Sequence, residues 1–229
     1  MSYQDPAAAP EAQPEEEKKK RRGGILVILL SVLLIAGGVT FGVMSFLPSG
    51  TAAGQIRDME GRIIVPDDPS ATSSAFMEEA KMVENDGGEG FVVPVINLNV
   101  PVGSVNEVNG VMNPPSFTSV FWIRNRGVSL ADAAQGTVYM VTHAIAGGSA
   151  PGNFLQTDGH VALNPGDVIM VNDKEYRFES AQSIPKTEIA DHAELWTDDP
   201  GRLILITCVV RPEGGIAINN LVIIAKLVS

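Results

Sequence analysis

The sequence predicts an all-β domain carried behind a single membrane-spanning helix. Three observations predict it: an uncharged apolar run near the N-terminus, a C-terminal part built of short Val/Ile-rich segments broken by turns, and the lack of any long amphipathic helical pattern. The apolar run, residues 25–47, reads ILVILLSVLLIAGGVTFGVMSFL. At 1.5 Å per residue it covers roughly 30 Å, the thickness of a bilayer's hydrocarbon core. A buried core helix is the alternative, and an all-round apolar run of this length counts against it. A cleaved signal peptide has an apolar stretch of about 7–15 residues and a small-residue cleavage site. This run is longer, and Ala52-Ala53 forms no clear A-x-A pattern. Arg21-Arg22 matches a twin-arginine export signal only superficially, because Gly23-Gly24 follows it. An uncleaved anchor over residues 23–47 is therefore expected.

Residues 1–22 hold five acidic side chains (Asp5, Glu11, Glu15, Glu16, Glu17) and five basic ones (Lys18, Lys19, Lys20, Arg21, Arg22). Rich in Ala, Pro, Glu and Lys, they read as a disordered tail. The basic cluster 18–22 abuts the apolar run and no comparable cluster follows it. The positive-inside rule then puts the tail in the cytoplasm and everything beyond about residue 48 outside the cell. Residues 48–90 are polar and contain PSGTAAG, PDDPSATSS and ENDGGEG, as expected of an extracytoplasmic stalk. Phe76, Ala80 and Val83 recur at spacings of four and three, which predicts a short helix near 75–83.

From Phe91 onward the texture changes. FVVPVINLNV, TVYMVTH, DVIMVNDKEYRFESA, LILITCVV and LVIIAKLV read as strands. Asn172-Asp173 between two of these runs reads as a hairpin turn. Pro-Gly pairs at 151–152, 165–166 and 200–201 punctuate the rest, and one short helix is expected near 188–196. Several short strands within residues 91–229 fit a closed barrel or a sandwich; the pattern alone does not choose between them.

The net charge of −11 lies wholly beyond residue 22, since the tail sums to zero. Such a balance argues against nucleic-acid binding, which relies on basic surface to displace counterions. It serves solubility or gives a mild attraction for a cationic amine. The single cysteine, Cys208, rules out an internal disulfide and a four-thiolate zinc site. A lone thiol in an extracellular domain is either buried and inert or reactive.

Cys208 ends an unbroken aliphatic run, 203–206, followed by Thr207. A strand apolar on both faces is buried centrally and holds its last side chain at a fixed place, a suitable mount for a nucleophile. His143 ends TVYMVTH and precedes the small-residue stretch 144–148, where an imidazole can exchange protons with a bound substrate. Each residue taken singly also fits a structural role. His160 and His192 lie in polar segments and read as surface residues; no HExxH spacing makes them metal ligands.

Taken together, these stretches resemble the sortase family. LILITC followed by the terminal strand LVIIAKLV is similar to the sortase strand that ends in Ile-Thr-Cys. VTHAIAGGSAPGNFLQ resembles the sortase histidine segment, VPVINLNVPVGSVNEVNGVM its opening strands, and TDDPGRLILITC the approach to cysteine in actinobacterial sortases. The resemblance covers residues 91–229. It implies an eight-stranded β-barrel with short helices and no cofactor. Cys208 would be the nucleophile that forms an acyl-thioester with a Leu-Pro-x-Thr-Gly-like sorting signal on a surface protein, and His143 the general acid/base. An imidazolium beside the sulfur would favour thiolate. The acceptor would be an amine on a peptidoglycan precursor or a pilin. The family also carries an arginine near the start of the last strand, and residues 218–220 hold none here. Arg211 is one candidate substitute and a weaker, neutral hydrogen bond from Asn219 or Asn220 the other; Thr207, Asn219 and Asn220 are candidate substrate contacts. A catalytically weakened, membrane-tethered binding domain is the alternative. An L,D-transpeptidase fits less well, because its cysteine follows glycine and precedes a closely spaced arginine.

Overall fold

Prolines and alternating apolar faces set where the strands begin and which way they point. The computed structural model describes residues 56–64 and 73–228, all within the compact unit Gln55–Ser229. The expected tail (1–22) and membrane span (23–47) lie outside the described residues. Among the described residues, no helix is long and apolar enough to cross a membrane. The strands are β1 (Phe91–Val93), β2 (Leu98–Val100), β3 (Val102–Val105), β4 (Val120–Gly127), β5 (Thr137–Val141), β6 (Gln156–Thr157), β7 (His160–Val161), β8 (Val168–Val171), β9 (Lys174–Pro185), β10 (Arg202–Cys208) and β11 (Asn219–Leu227). Among the described residues three short α-helices accompany them: α1 (Ser74–Glu79), α2 (Pro151–Phe154) and α3 (Ala193–Trp196).

Nine strands form one sheet in the order β2-β1-β8-β9-β11-β10-β5-β4-β3, and β6 and β7 pair separately. The domain is thus all-β, with a nearly closed, barrel-like sheet. Its inner cluster draws on both ends of the sheet, through Leu98 and Val100 of β2 and Val102 of β3. The main sheet has nine strands where eight are expected, and proline is the reason. Lacking an N–H, proline cannot sit inside a ladder. Pro94 ends β1, and Pro101 separates β2, paired with β1, from β3, paired with β4. The chain crosses from one end of the sheet to the other at that residue.

The central strands are apolar on both faces because both faces are covered. On β10, Leu203 and Leu205 point into the barrel while Ile204 and Ile206 join an outer cluster. β5 divides likewise, with Val138 and Met140 inside and Tyr139 and Val141 outside. Ala80, just past α1, and Leu195 of α3 close the outer cluster. The Asn172-Asp173 turn joins β8 to β9 with Val171 opposite Lys174, and Asn172 takes a left-handed φ of +50°, which asparagine tolerates.

The segment 56–64, expected in the stalk, packs on this body. The Asp58 side chain is fully buried and accepts from the Ser149 amide at 3.0 Å and from Arg62 Nε at 2.8 Å. Burial pushes its carboxyl up, but those amides and the guanidinium outweigh it and hold the group below its usual value. Gly152 of α2 is a second close approach. A Cβ there would lie 2.1 Å from Thr207 Oγ1 and 2.6 Å from the His143 carbonyl oxygen. Overpacking of this kind costs roughly 1–3 kcal/mol. Gly152→Ala is therefore expected to lower the thermal unfolding midpoint; an unchanged midpoint would show that the helix and β10 are not held in contact.

Candidate active site

β5 and β10 run parallel, with Val141 opposite Ile206. The Thr142 amide continues the pairing by donating to the Ile206 carbonyl at 3.1 Å. His143 lies two residues past Val141, and Cys208, the last residue of β10, two past Ile206, so both stand at the same end of these two strands. Both are half-buried, and both line one cavity of about 500 Å3 at this end of the sheet.

Hydrogen bonds fix each residue's backbone. Gly152 N donates to the His143 carbonyl at 2.8 Å. Asn153 then staples the loop after His143, bonding both the amide and the carbonyl of Ile145 and the Ala150 amide. Gln156 does the same for Cys208. Its Nε2 donates to the Cys208 carbonyl at 2.9 Å and its Oε1 accepts from the Val210 amide at 2.8 Å. The two candidate residues are thus tied to one short stretch, 151–156, which follows His143 in sequence and touches Cys208 in space.

The imidazole has two defined neighbours. Its ring stacks on Phe117 with centroids 4.0 Å apart and planes 12° apart. Nε2 lies 2.6 Å from the Pro114 carbonyl oxygen. A carbonyl can only accept, so Nε2 carries the hydrogen and Nδ1 keeps the lone pair. Burial lowers the ring's pKa from its ordinary 6.5 to about 4, the Pro114 carbonyl opposes that, and the nearby Lys186 charge adds to it. At neutral pH this histidine is uncharged. The expected imidazolium beside the thiol is therefore not its resting form in this geometry.

The cavity brings together Cys208, His143 and Arg211, but not the other three candidates. Arg211 is held by exposed Glu213, at 2.7 Å from Nε and 2.5 Å from Nη2. Thr207 is buried, its hydroxyl unpartnered among the described residues and turned toward Gly152. Asn219 donates to Ser183 Oγ at 3.0 Å. Asn220 sits across the ladder from Cys208 and is not on the cavity wall. Sequence reading missed Lys186, Asn113, Phe117, Ile63 and Ile64, all of which line the cavity. None carries a local signal, because long-range pairing brings them there. Asp58, for instance, bridges to Phe117. His160 is exposed, and His192 pairs at the surface with Glu194 at 2.7 Å.

No family model and no curated protein matches the chain. Among solved structures it is similar to sortase A of Listeria monocytogenes, at 18% identity over 63% of this chain and 89% of that one, with a TM-score of 0.45. It is similar also to sortase C-1 of Actinomyces oris (16% identity, 63% and 76% covered, TM-score 0.45). A third is sortase A of Corynebacterium diphtheriae (13% identity, 70% and 71% covered, TM-score 0.46).

A depressed histidine pKa has a checkable consequence. The His143 ring is expected to titrate with an NMR midpoint near 4; a midpoint at or above 6.5 would contradict the buried, neutral ring. The unfolded chain binds this proton near pH 6.5 and the folded one does not, so its contribution to stability is complete above that pH. It is lost as pH falls toward about 4.

Proposed function

We propose that this chain is a membrane-anchored cysteine transpeptidase of the sortase type, with its catalytic domain outside the cell. What carries the reading is the convergence of the chain's only thiol and a neutral imidazole on one cavity. The sequence resemblance of residues 91–229 supports the substrate class, a Leu-Pro-x-Thr-Gly-like signal on a surface protein. The uncharged run 25–47 supports the anchor.

The chemistry follows from the protonation states. Cys208 Sγ bonds to the threonine carbonyl carbon as its proton passes to the neutral His143, and the carbonyl π electrons move to oxygen. The C=O re-forms, the C–N bond breaks, and the imidazolium gives its proton to the departing amine. A thioester and a free amine result. An incoming amine reverses the sequence and leaves a new amide and a free thiol. An imidazole with a depressed pKa is a weak base but, once protonated, a strong acid. It is suited to expelling an amine, a poor leaving group until it gains a proton. Splitting the exchange into two acyl transfers is the benefit of the covalent route.

The test uses the full chain in detergent with a library of Leu-Pro-x-Thr-Gly-type peptides and hydroxylamine, read by mass spectrometry. Cleavage at the Thr–Gly bond with formation of the threonine hydroxamate is expected. Cys208→Ala is expected to abolish it, and His143→Ala to slow it by roughly 10²–10⁴-fold. Wild-type turnover in either variant would remove that residue from the mechanism.

A further inference from the structure

A tetrahedral adduct at Cys208 puts negative charge on the former carbonyl oxygen, and something in the cavity has to face it. The walls carry three basic side chains, His143, Lys186 and Arg211, and no carboxylate among their described residues, although the chain's net charge is −11. His143 is uncharged and commits its Nε2–H to Pro114. Arg211 is paired with Glu213, which lies two residues away on the same loop. Lys186 differs from both, having no ion-pair partner among the described residues. Its charge already reaches the imidazole, where it adds to burial in disfavouring protonation.

The backbone explains how Lys186 comes to be there. Cys208, Asn220 and Ile184 form one row across β10, β11 and β9. Two residues beyond Ile184, the Lys186 amide donates to the Ile218 carbonyl at 2.9 Å, which extends the β9–β11 ladder to the cavity rim. Two strand spacings separate this row's ends by about 10 Å, a gap that a lysine stem and a substrate carbonyl can bridge together. The stem is anchored at its base, while the ammonium pairs with no carboxylate among the described residues.

We infer that Lys186 is a catalytic residue, whose ammonium faces the oxyanion formed when Cys208 attacks the substrate carbonyl. This rests on the transpeptidase reading above. It assigns the role to a point charge arriving from β9 rather than to Arg211 or to the amides of Asn219 and Asn220. A preorganised charge of this kind acts on the transition state more than on the bound substrate. An ammonium needs no planar fork to do so, so arginine at this position should serve in part.

The experiment compares the full chain with Lys186→Met, Lys186→Arg and Arg211→Met on a Leu-Pro-Ala-Thr-Gly peptide with hydroxylamine. Iodoacetamide alkylation of Cys208 provides a second readout that forms no oxyanion. Lys186→Met is expected to lower kcat by about 10²-fold with little change in KM. Lys186→Arg should recover most of that loss and Arg211→Met lower kcat less than Lys186→Met does, with alkylation rates within about twofold throughout. Equal kcat in wild type and Lys186→Met would overturn the assignment while leaving the transpeptidase standing. So would a loss in Lys186→Met matched by an equal fall in alkylation, which marks a damaged site rather than a missing charge. A wild-type chain that cleaves no such peptide would instead overturn the transpeptidase reading, and this inference with it.

Discussion

The parallel pairing of β5 with β10 is the constraint on which the rest of the site depends. Parallel strands end on the same side of a sheet, so the residues just past Val141 and Ile206 emerge together. An antiparallel pair would send them to opposite ends of the barrel, however close the strands lay. The pairing holds because both strands are apolar on two faces and each face has a cover. Residues from both ends of the sheet fill the barrel inside, and Ala80 and Leu195 close the outside. A register shift of one residue would exchange the two faces and bring a different side chain to the cavity.

Burial that stabilises the strands also shapes the chemistry. His143 stacks on Phe117 and bonds the Pro114 carbonyl, surroundings that suit a neutral ring and resist a charged one. Under the transpeptidase reading, attack would then rely on proton transfer to the ring rather than on a standing ion pair with the thiol. Its positive charge sits instead on side chains at the rim. Among the described residues no carboxylate lines the cavity walls, although the chain's net charge is −11.

Much of this was legible in the sequence, for local reasons. The unbroken run 203–206 marked β10 as central, and its end marked Cys208. The Asn172-Asp173 turn marked the β8–β9 hairpin. His143 stood at a strand end before a small-residue loop whose closeness to Cys208 has a visible counterpart in Gly152, where only a hydrogen fits. Prolines 94 and 101 carried the information that splits the opening run into three strands, although a count of apolar runs passes over them. Lys186 was not legible, because its position depends on how far β9 stays paired with β11, beyond the run that reads as a strand. Nor was the contribution of Ile63 and Ile64, which reach the cavity through the buried carboxylate of Asp58. A single carboxylate in a polar stretch gives no sign of burial until its partners are known. Arg211, conspicuous by its spacing from Cys208, does line the cavity and pairs there with Glu213, a partner the sequence did not announce.

Trapping the acyl-enzyme tests the central claim most directly. The full chain is mixed with a Leu-Pro-Ala-Thr-Gly peptide, quenched in acid before any acceptor amine is added, digested and weighed. The account predicts that the Leu-Pro-Ala-Thr acyl group is found on the peptide bearing Cys208 and is released by hydroxylamine. Peptide cleavage with an unmodified Cys208, or with the acyl group on another residue, would contradict it.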